Sequence, residues 1–203
     1  MSFNENTLNL KNRRQIFSYI RKYPGIYLRK LSRKLNIPKT TLIYHLDYLE
    51  KRGYIEDKTD GKYTRYYVTQ NVGVIEKKLL HLFRQEVTRN IMLLLLLQNS
   101  PPKRIISKLK HNPRTINSNL KKLIDMEIVV RVKVYNQIQY RLKDPEIIID
   151  FLYKYKETLS NDGIITEYGI YEVLNRIEYG IPEKGIDAII EMIYDIFPHP
   201  YHV

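Results

Sequence analysis

Residues 38–53 read P-K-T-T-L-I-Y-H-L-D-Y-L-E-K-R-G, and this stretch decides the fold. Proline at its start and glycine at its end predict a helix of about four turns. Leu42, Leu46 and Leu49 fall on one stripe of that helix, which we expect to be buried. His45 lies beside this stripe, so we interpret it as a buried residue that packs the helix onto its neighbours.

The opposite face of this helix is polar at both ends. Its first side chains are Lys and Thr donors, a pattern typical of a helix that enters the major groove of DNA. Candidate base-reading residues on this face are Lys39, Thr40, Thr41, Ile43, Tyr44 and Tyr48. Ile43 is suited to contact a thymine methyl group, whereas Asp47 would repel phosphate unless it accepts from cytosine or pairs with Lys51.

The flanking segments place this helix in a recognisable order of elements. Gly25 to Asn36 has helical spacing of leucines, and Asn36-Ile37-Pro38 is short enough only for a tight turn. Tyr54 to Thr59 and Lys62 to Thr69 have strand patterns, joined by a hairpin turn predicted at Asp60-Gly61. Together with a first helix over residues 11–22, this order predicts a winged helix. Candidate DNA-contacting residues of the wing are Lys58, Lys62, Tyr63 and Arg65.

A family resemblance is carried by the run P-G-I-Y-L-R-K-L-S-R-K-L-N-I-P-K-T-T-L-I-Y-H-L-D-Y-L-E-K-R-G-Y-I, which is followed by the D-G wing and R-Y-Y-V. Over residues 11–69 the chain closely resembles archaeal winged-helix transcription regulators of the ArsR/MarR-like class. The resemblance implies a DNA-binding domain and a role in transcription regulation. It does not decide between activation and repression.

The same pattern occurs again 74 residues later. Thr41 falls on Thr115, Leu46 on Leu120 and Tyr66 on Tyr140. Such a repeat predicts two tandem winged helices. Equivalent candidate DNA-contacting residues in the second one are Arg114, Thr115, Asn117, Ser118, Lys121 and Lys122, with Arg131, Lys133, Gln137 and Gln139 on its wing.

Two interpretations of the second winged helix stay open. Arg114 suits guanine and Asn117 suits adenine, which favours a second DNA-reading helix. Its wing, V-V-R-V-K-V-Y over residues 129–135, is more apolar than the first, which favours dimerisation or protein docking.

We therefore expect a mainly α-helical fold with small β-hairpins (α+β). The predicted domains are a first winged helix over residues 1–72, a connecting helix over 73–84, a second winged helix over 85–143 and an acidic helical region over 144–203. Helices are predicted at 146–159, 166–179 and 182–197, and their apolar stripes need a partner. These stripes can pack on the second winged helix, on each other or on a second subunit, and the expected oligomer is a homodimer.

Charge is distributed very unevenly along the chain. The net charge is +12, yet residues 1–143 contain 30 Lys and Arg against 10 Asp and Glu, and residues 144–203 contain 4 against 12. A basic block joined to an acidic one indicates a nucleic-acid-binding part and a part that avoids phosphate.

Several functional classes lack support in the sequence. The absence of cysteine excludes disulfides and thiolate zinc sites. The eight glycines form neither G-x-G-x-x-G nor a P-loop, and the five histidines form no H-E-x-x-H motif. We expect a protein that is not an enzyme, uses no cofactor or metal, has no membrane segment and is cytoplasmic.

The leading hypothesis is a sequence-specific transcription regulator that binds double-stranded DNA at promoters. The alternative is an architectural or protein-docking winged-helix protein that recruits basal transcription factors. RNA binding is a third hypothesis, disfavoured because the deep major groove of A-form RNA admits no helix.

Overall fold

The computed structural model describes residues 10–179 of the 203-residue chain. In this range the fold is mainly α-helical with two small antiparallel sheets, which confirms the predicted class. The chain divides into two compact units between His81 and Leu82. The first unit comprises α1 (Lys11–Lys22), β1 (Ile26–Tyr27), α2 (Leu28–Leu35), α3 (Lys39–Lys51), β2 (Ile55–Asp60) and β3 (Tyr63–Val68). The helix α4 (Val74–Phe83) contains the boundary, so its last two residues belong to the second unit.

The core of the first unit lies between its three-helix layer and the sheet. The leucine stripe of α3 is buried as predicted, and it packs with Ile16 and Ile20 of α1 and with Leu31 of α2. Tyr54, just after α3, closes one side with an edge-on contact to Phe17 at 6.1 Å. Because aliphatic burial fixes the side of α3 that faces inward, it also fixes the side that faces solvent.

The short strand β1 is a feature that the sequence analysis did not predict. Ile26 pairs with Tyr66 and Tyr27 with Arg65, so the sheet has the order β1-β3-β2. Gly25 precedes it in a left-handed conformation and donates its N–H to the carbonyl of Tyr66. Two residues are too few to show an alternating pattern, and the helix therefore begins later than predicted, at Leu28.

The hairpin turn of the first wing is shifted by one residue from the prediction. Asp60 pairs with Tyr63 as the last residue of β2, so the turn residues are Gly61 and Lys62 rather than Asp60 and Gly61. Gly61 supplies the positive φ that the turn needs, with φ at +59°. Asp60 belongs to the strand because its carboxylate is engaged by Arg65 and His81.

The second unit repeats the helices and hairpin of the first. It comprises α5 (Glu86–Leu97), α6 (Pro102–Lys108), α7 (Pro113–Asp125), β4 (Val129–Val134), β5 (Gln137–Leu142), α8 (Pro145–Asn161) and α9 (Glu167–Tyr179). Ser100 forms a β-bridge with Tyr140, at positions equivalent to Ile26 and Tyr66 in the first unit. The repeat predicted from the sequence is thus present in the backbone pairing as well.

Helices α8 and α9 complete the second unit. Ile148, Phe151, Leu152 and Tyr155 of α8 are buried, as their spacing predicts. In α9 the buried residues include Ile170, Val173 and Leu174, and α9 packs on both α8 and α5.

One expectation about α9 was wrong. Helical spacing puts Tyr171 in line with Ile170 and Leu174, but its side chain is 41% exposed and accepts a hydrogen bond from Lys156. Because Ile170 and Leu174 are already covered inside the second unit, the stripe of α9 is not available to a second subunit.

The helix predicted over residues 182–197 and the histidines at 199 and 202 lie outside the described residues. Among residues 10–179, none of the helices has the length and hydropathy needed to cross a membrane.

Candidate nucleic-acid interface

The outer face of α3 is exposed to solvent. Lys39, Thr40, Ile43 and Tyr44 are exposed, with Ile43 at 46% and Tyr44 at 62%. Thr41 is half-buried, so it lies at the edge of this face. Exposure of a large aliphatic and a large aromatic side chain on one polar helix face is costly unless a partner covers them.

The turn before α3 is held by hydrogen bonds of Ser32. Its hydroxyl donates to the carbonyl of Ile37 at 2.8 Å, and its carbonyl accepts from the N–H of Ile37 at 3.2 Å. Asn36 adopts the left-handed conformation that ends α2, and Pro38 then precedes the first turn of α3. The angle between the two helices is therefore set by local contacts, as in a helix-turn-helix motif.

Tyr48 contacts the protein rather than solvent with one face of its ring. The guanidinium of Arg13 lies 3.6 Å from the ring centroid, and that of Arg52 lies at 5.4 Å. Tyr48 is half-buried in this arrangement, so the stacking face is not open to a DNA base. Tyr48 thus joins α3 to α1 through Arg13, and its role in base reading stays a prediction that this contact disfavours.

His45 is buried behind the outer face, as predicted. It is 6% exposed, and its Nδ1 has no hydrogen-bond partner among residues 10–179. Burial lowers the pKa of His45, and the positive charge of Arg13 lowers it further.

The tip of the first wing is exposed and basic. Lys58 and Lys62 are exposed, and Tyr63 is 38% exposed with its ring 4.8 Å from that of Tyr27. The ammonium of Lys62 lies 5.4 Å from the ring centroid of Tyr63. The tip of the first wing thus presents two exposed cations and an aromatic ring to solvent.

Arg65 does not contribute to that exposed surface. It is 8% exposed, and its guanidinium donates to the Asp60 carboxylate at 2.5 Å and to the Gly25 carbonyl at 2.9 Å. Burial alone would raise the pKa of Asp60, but hydrogen bonding and charge from Arg65, together with His81, hold it below its usual value. Arg65 therefore lies at the base of the wing with its guanidinium engaged by the protein, and its DNA contact stays a prediction that this burial disfavours.

An acidic cluster lies at the C-terminal end of α3, the predicted recognition helix of the first unit. Burial raises the pKa of Glu50, and the charge and hydrogen bond of Asp57 and the charge of Asp47 raise it further. Three neighbouring carboxyl groups would repel phosphates. This part of the unit is thus unsuited to contact the DNA backbone.

The outer face of α7 in the second unit is also exposed. Ile116, Leu120 and Leu123 are buried, and the exposed residues are Arg114, Thr115, Asn117, Ser118 and Lys121. The side chain of Asn112 caps the helix by accepting from the N–H of Arg114 at 2.9 Å. The cap fixes where the first turn begins and hence where Arg114 stands.

Lys122 differs from the other predicted contacts of α7. It is half-buried, and its Nζ donates to the Gln85 side chain at 2.8 Å. Position 122 is equivalent to Tyr48, so in both units this position joins the recognition helix to the first helix or its cap. DNA contact by Lys122 stays a prediction that its hydrogen bond to Gln85 disfavours.

The second wing carries exposed cations but a different tip. Arg131, Lys133 and Gln137 are exposed, and Gln139 is half-buried. Its two-residue turn is Tyr135-Asn136, as predicted, with the Tyr135 side chain 98% exposed.

Exposed basic residues that the sequence pattern did not single out lie on the helix before α3 and on the helix before α7. Arg29, Arg33 and Lys34 of α2 are exposed, as is Lys103 of α6. The signal was present in the sequence, because Arg29 and Lys103 coincide under the 74-residue shift. These cations extend the basic surface beyond the recognition helices.

Among residues 10–179, no group of three or more His, Asp or Glu side chains could hold a metal ion.

Comparison with known proteins agrees with this geometry. Residues 10–80 match the model of a family described as an N-terminal HTH (helix-turn-helix) domain. The chain is also 35% identical over 140 residues to an uncharacterized HTH-type transcriptional regulator of Methanocaldococcus jannaschii. That alignment covers 69% of this chain and 35% of the relative, so the chain spans about a third of the length of that protein. The predicted resemblance to archaeal helix-turn-helix regulators is thereby confirmed, and the match to the helix-turn-helix family model extends over residues 10–80.

Proposed function

We propose that the protein is a transcription regulator that binds specific sequences of double-stranded DNA at promoters through its first winged helix. The observation that carries this proposal is the outer face of α3. It exposes Lys39, Thr40, Ile43 and Tyr44 on a helix whose buried face and turn are fixed by the core and by Ser32. Such a face can read both hydrogen-bonding groups and thymine methyl groups in the major groove.

Non-specific affinity has a separate source in this proposal. Lys58 and Lys62 of the wing and Arg29 and Arg33 of α2 are exposed cations. Cations that neutralise phosphates release counterions and make binding strongly salt-dependent. The base-reading face and the phosphate-binding surface can therefore be tested independently.

The second winged helix supports a further DNA contact. Arg114 and Asn117 lie exposed on α7, and their side chains suit bidentate bonds to guanine and adenine respectively. We propose that α7 reads a second element of the target sequence.

The experiment is selection of bound duplexes from a random pool, followed by gel shifts at several salt concentrations. The proposal predicts an enriched sequence and a selected duplex that binds more tightly than scrambled duplex or RNA of the same length. Enrichment of no sequence, with equal binding to scrambled DNA, would leave only an architectural role. Tighter binding to RNA would exclude the proposal.

The alternative function is protein docking, in which the second wing recruits a basal transcription factor. It is favoured by the exposed apolar side chains Val134 and Ile138 on that wing. Affinity capture with purified basal factors, using the full chain and a Val134→Ser, Ile138→Ser variant, tests it. Loss of a captured factor in the variant alone would support docking.

We also propose that the active form is a homodimer, because most soluble oligomers are symmetric dimers and a dimer doubles the number of recognition helices. Ile170 and Leu174 of α9 do not supply the interface, since both are buried within one chain. Light scattering of the full-length protein, alone and with the selected duplex, gives the subunit number directly.

A further inference from the structure

The exposed tyrosines between residues 10 and 179 fall into two groups that differ in the charge around them. Tyr44, Tyr63 and Tyr135 lie in the basic part of the chain, on the predicted recognition helix α3 and on the two wings. The second group lies in the acidic region after residue 143. It consists of Tyr153, Tyr168, Tyr171 and Tyr179, which are 47%, 69%, 41% and 80% exposed. DNA binding gives this second group no role.

The second group forms one surface on the helices α8 and α9. Tyr168, Tyr171 and Tyr179 are separated by three and then eight residues, so they share one face of α9. The ammonium of Lys156 on α8 donates to the Tyr171 hydroxyl, which places this part of α8 beside that face. Tyr153 lies about one helical turn before Lys156. We call the four tyrosines the tyrosine face.

The surface around the tyrosine face is acidic. Residues 144–179, all of which the structure describes, expose the cation Lys154 and the carboxylates of Asp144, Glu146, Asp150, Glu157, Glu167 and Glu178. Such a surface repels the phosphates of a nucleic acid. The partner that it fits is therefore cationic, unlike the partner proposed for the basic helices α3 and α7.

Lys156 shows how this surface holds a cation. Its ammonium lies 4.8 Å from the ring centroid of Tyr171 and donates to the hydroxyl of the same residue. The hydrogen bond to Tyr171 raises the pKa of Lys156, and the negative charges of Glu167 and Glu157 raise it further. Aromatic rings and carboxylates thus act together to stabilise a positive charge at this surface.

We propose that the tyrosine face binds an arginine-rich segment of another protein. The guanidinium group fits best, because its plane stacks on an aromatic ring while its N–H groups form bidentate bonds to a carboxylate. The rings of Tyr168 and Tyr179 then stack on guanidinium groups, and Glu157 and Glu167 pair with them. Tyr168 and Tyr179 lie roughly 16 Å apart along α9, which is about the length of five extended residues. This inference goes beyond the proposed DNA binding and does not depend on it.

The test measures binding of a fluorescent peptide of nine arginines to the full-length chain by anisotropy, with a peptide of nine lysines for comparison. The wild type should bind the arginine peptide more tightly, because lysine has the same charge but no planar group. In the double variant Tyr168→Ser, Tyr179→Ser, affinity for the arginine peptide should weaken about tenfold, the order expected for two lost cation–aromatic contacts. Thermal unfolding of the variant should be unchanged, because both side chains are exposed.

Matched controls separate this face from the other tyrosines and carboxylates. Tyr135→Ser removes a 98% exposed tyrosine from the basic second wing and should bind the arginine peptide as the wild type does. The variant Glu157→Gln, Glu167→Gln should weaken binding. The variant Asp47→Asn, Glu50→Gln removes two carboxylates from the acidic cluster of the first unit and should not weaken it.

Three results overturn the inference. The first is equal affinity of the wild type and the Tyr168→Ser, Tyr179→Ser variant for the arginine peptide, or binding of the peptide to neither. The second is a wild-type dimer in light scattering that this variant converts to a monomer, since the face would then bind a second copy of the chain. The third is a loss of affinity for the selected duplex in this variant, which would place the face on DNA. If the wild type binds no duplex at all, the proposed function fails, and this inference is still decided by the peptide titrations.

Discussion

His45 combines deep burial with a titratable ring behind the outer face of α3. Burial and Arg13 lower its pKa from the ordinary value of 6.5, so the unfolded chain takes up this proton before the folded chain does. The stability that neutral His45 permits is therefore present above about pH 6.5 and lost as pH falls towards the folded pKa. We predict that the free energy of unfolding of the first unit falls between about pH 7 and 5.

The matched variant is His45→Asn, because the second unit has Asn119 at the equivalent position, where its amide donates to the Thr115 carbonyl. Chemical denaturation across this pH range should show a weaker pH dependence in the variant. Equal pH dependence in both proteins would assign the effect to a group other than His45.

Arg65 and Lys62 lie three residues apart on the first wing, and we expect the first to contribute to stability and the second to DNA binding. Arg65→Ala leaves Asp60 and the Gly25 carbonyl without their donor, so we expect a loss of about 2–4 kcal/mol in unfolding free energy. Lys62→Ala should leave stability unchanged and reduce the salt dependence of DNA binding by about one phosphate contact. Denaturation and salt titration of both variants check this, and a wild-type salt slope in Lys62→Ala would place the wing away from DNA.

The residue scale also shows what sequence can predict. The exposure of Ile43 and Tyr44 and the burial of His45 follow from helical spacing alone. The burial of Arg65 does not, because one of its acceptors is a carbonyl 40 residues away in the chain. When the hydrogen-bond acceptor of an arginine is distant in the chain, the sequence pattern alone does not show whether that arginine is buried or exposed.

At the scale of elements, α3 and α7 end in the same hydrogen-bonded motif with different residues. Gly53 and Glu127 both adopt positive φ, and in each case the following N–H bonds back to a helix leucine carbonyl. Glycine accepts this conformation without strain, whereas glutamate does not. We predict that Glu127→Gly stabilises the second unit by roughly 0.5–1 kcal/mol.

The reciprocal control is Gly53→Ala, which should destabilise the first unit by about 1 kcal/mol. A Cβ at Gly53 meets no atom within 4 Å, so strain rather than collision would be the cause. The exposed ion pair between Glu127 and Lys143 is worth little and should not reverse the sign. Thermal unfolding of both variants measures this, and destabilisation by Glu127→Gly would refute the argument.

Most elements were predictable, and the exceptions share a cause. Long periodic helices and strands with turn residues between them were placed within a few residues. Strand β1 was missed because two residues show no periodicity and its pairing partner, β3, is distant in sequence. The first turn was misplaced because Asp60 is held in the strand by tertiary contacts with Arg65 and His81.

At the scale of the whole molecule, the acidic end of the chain has a structural role that charge alone did not reveal. The charge pattern alone predicts that the acidic end can be deleted with both winged helices still folded. Because Ile164, Ile165, Ile170 and Leu174 are buried in the second unit, we now predict that deletion of residues 162–203 destabilises that unit. It would also remove the Asp162 carboxylate to which Arg84 donates at 2.9 Å.

Hydrogen exchange of the truncated and full-length chains measures this effect unit by unit. Protection in α5 and α7 should fall, whereas protection in α1 and α3 should persist. Unchanged protection throughout would mean that α9 is dispensable for the second unit.

The central claim is that the exposed face of α3 reads DNA sequence, and titration of three variants tests it most directly. The affinities of Thr40→Ala and Tyr44→Ala are measured on the selected duplex and on scrambled DNA. The control is Tyr153→Ala, because Tyr153 is also an exposed tyrosine but lies on α8. We predict that each α3 variant loses about 1–3 kcal/mol on the selected duplex and much less on scrambled DNA, with no loss in the control. Equal losses on both duplexes, or no loss on either, would contradict the account.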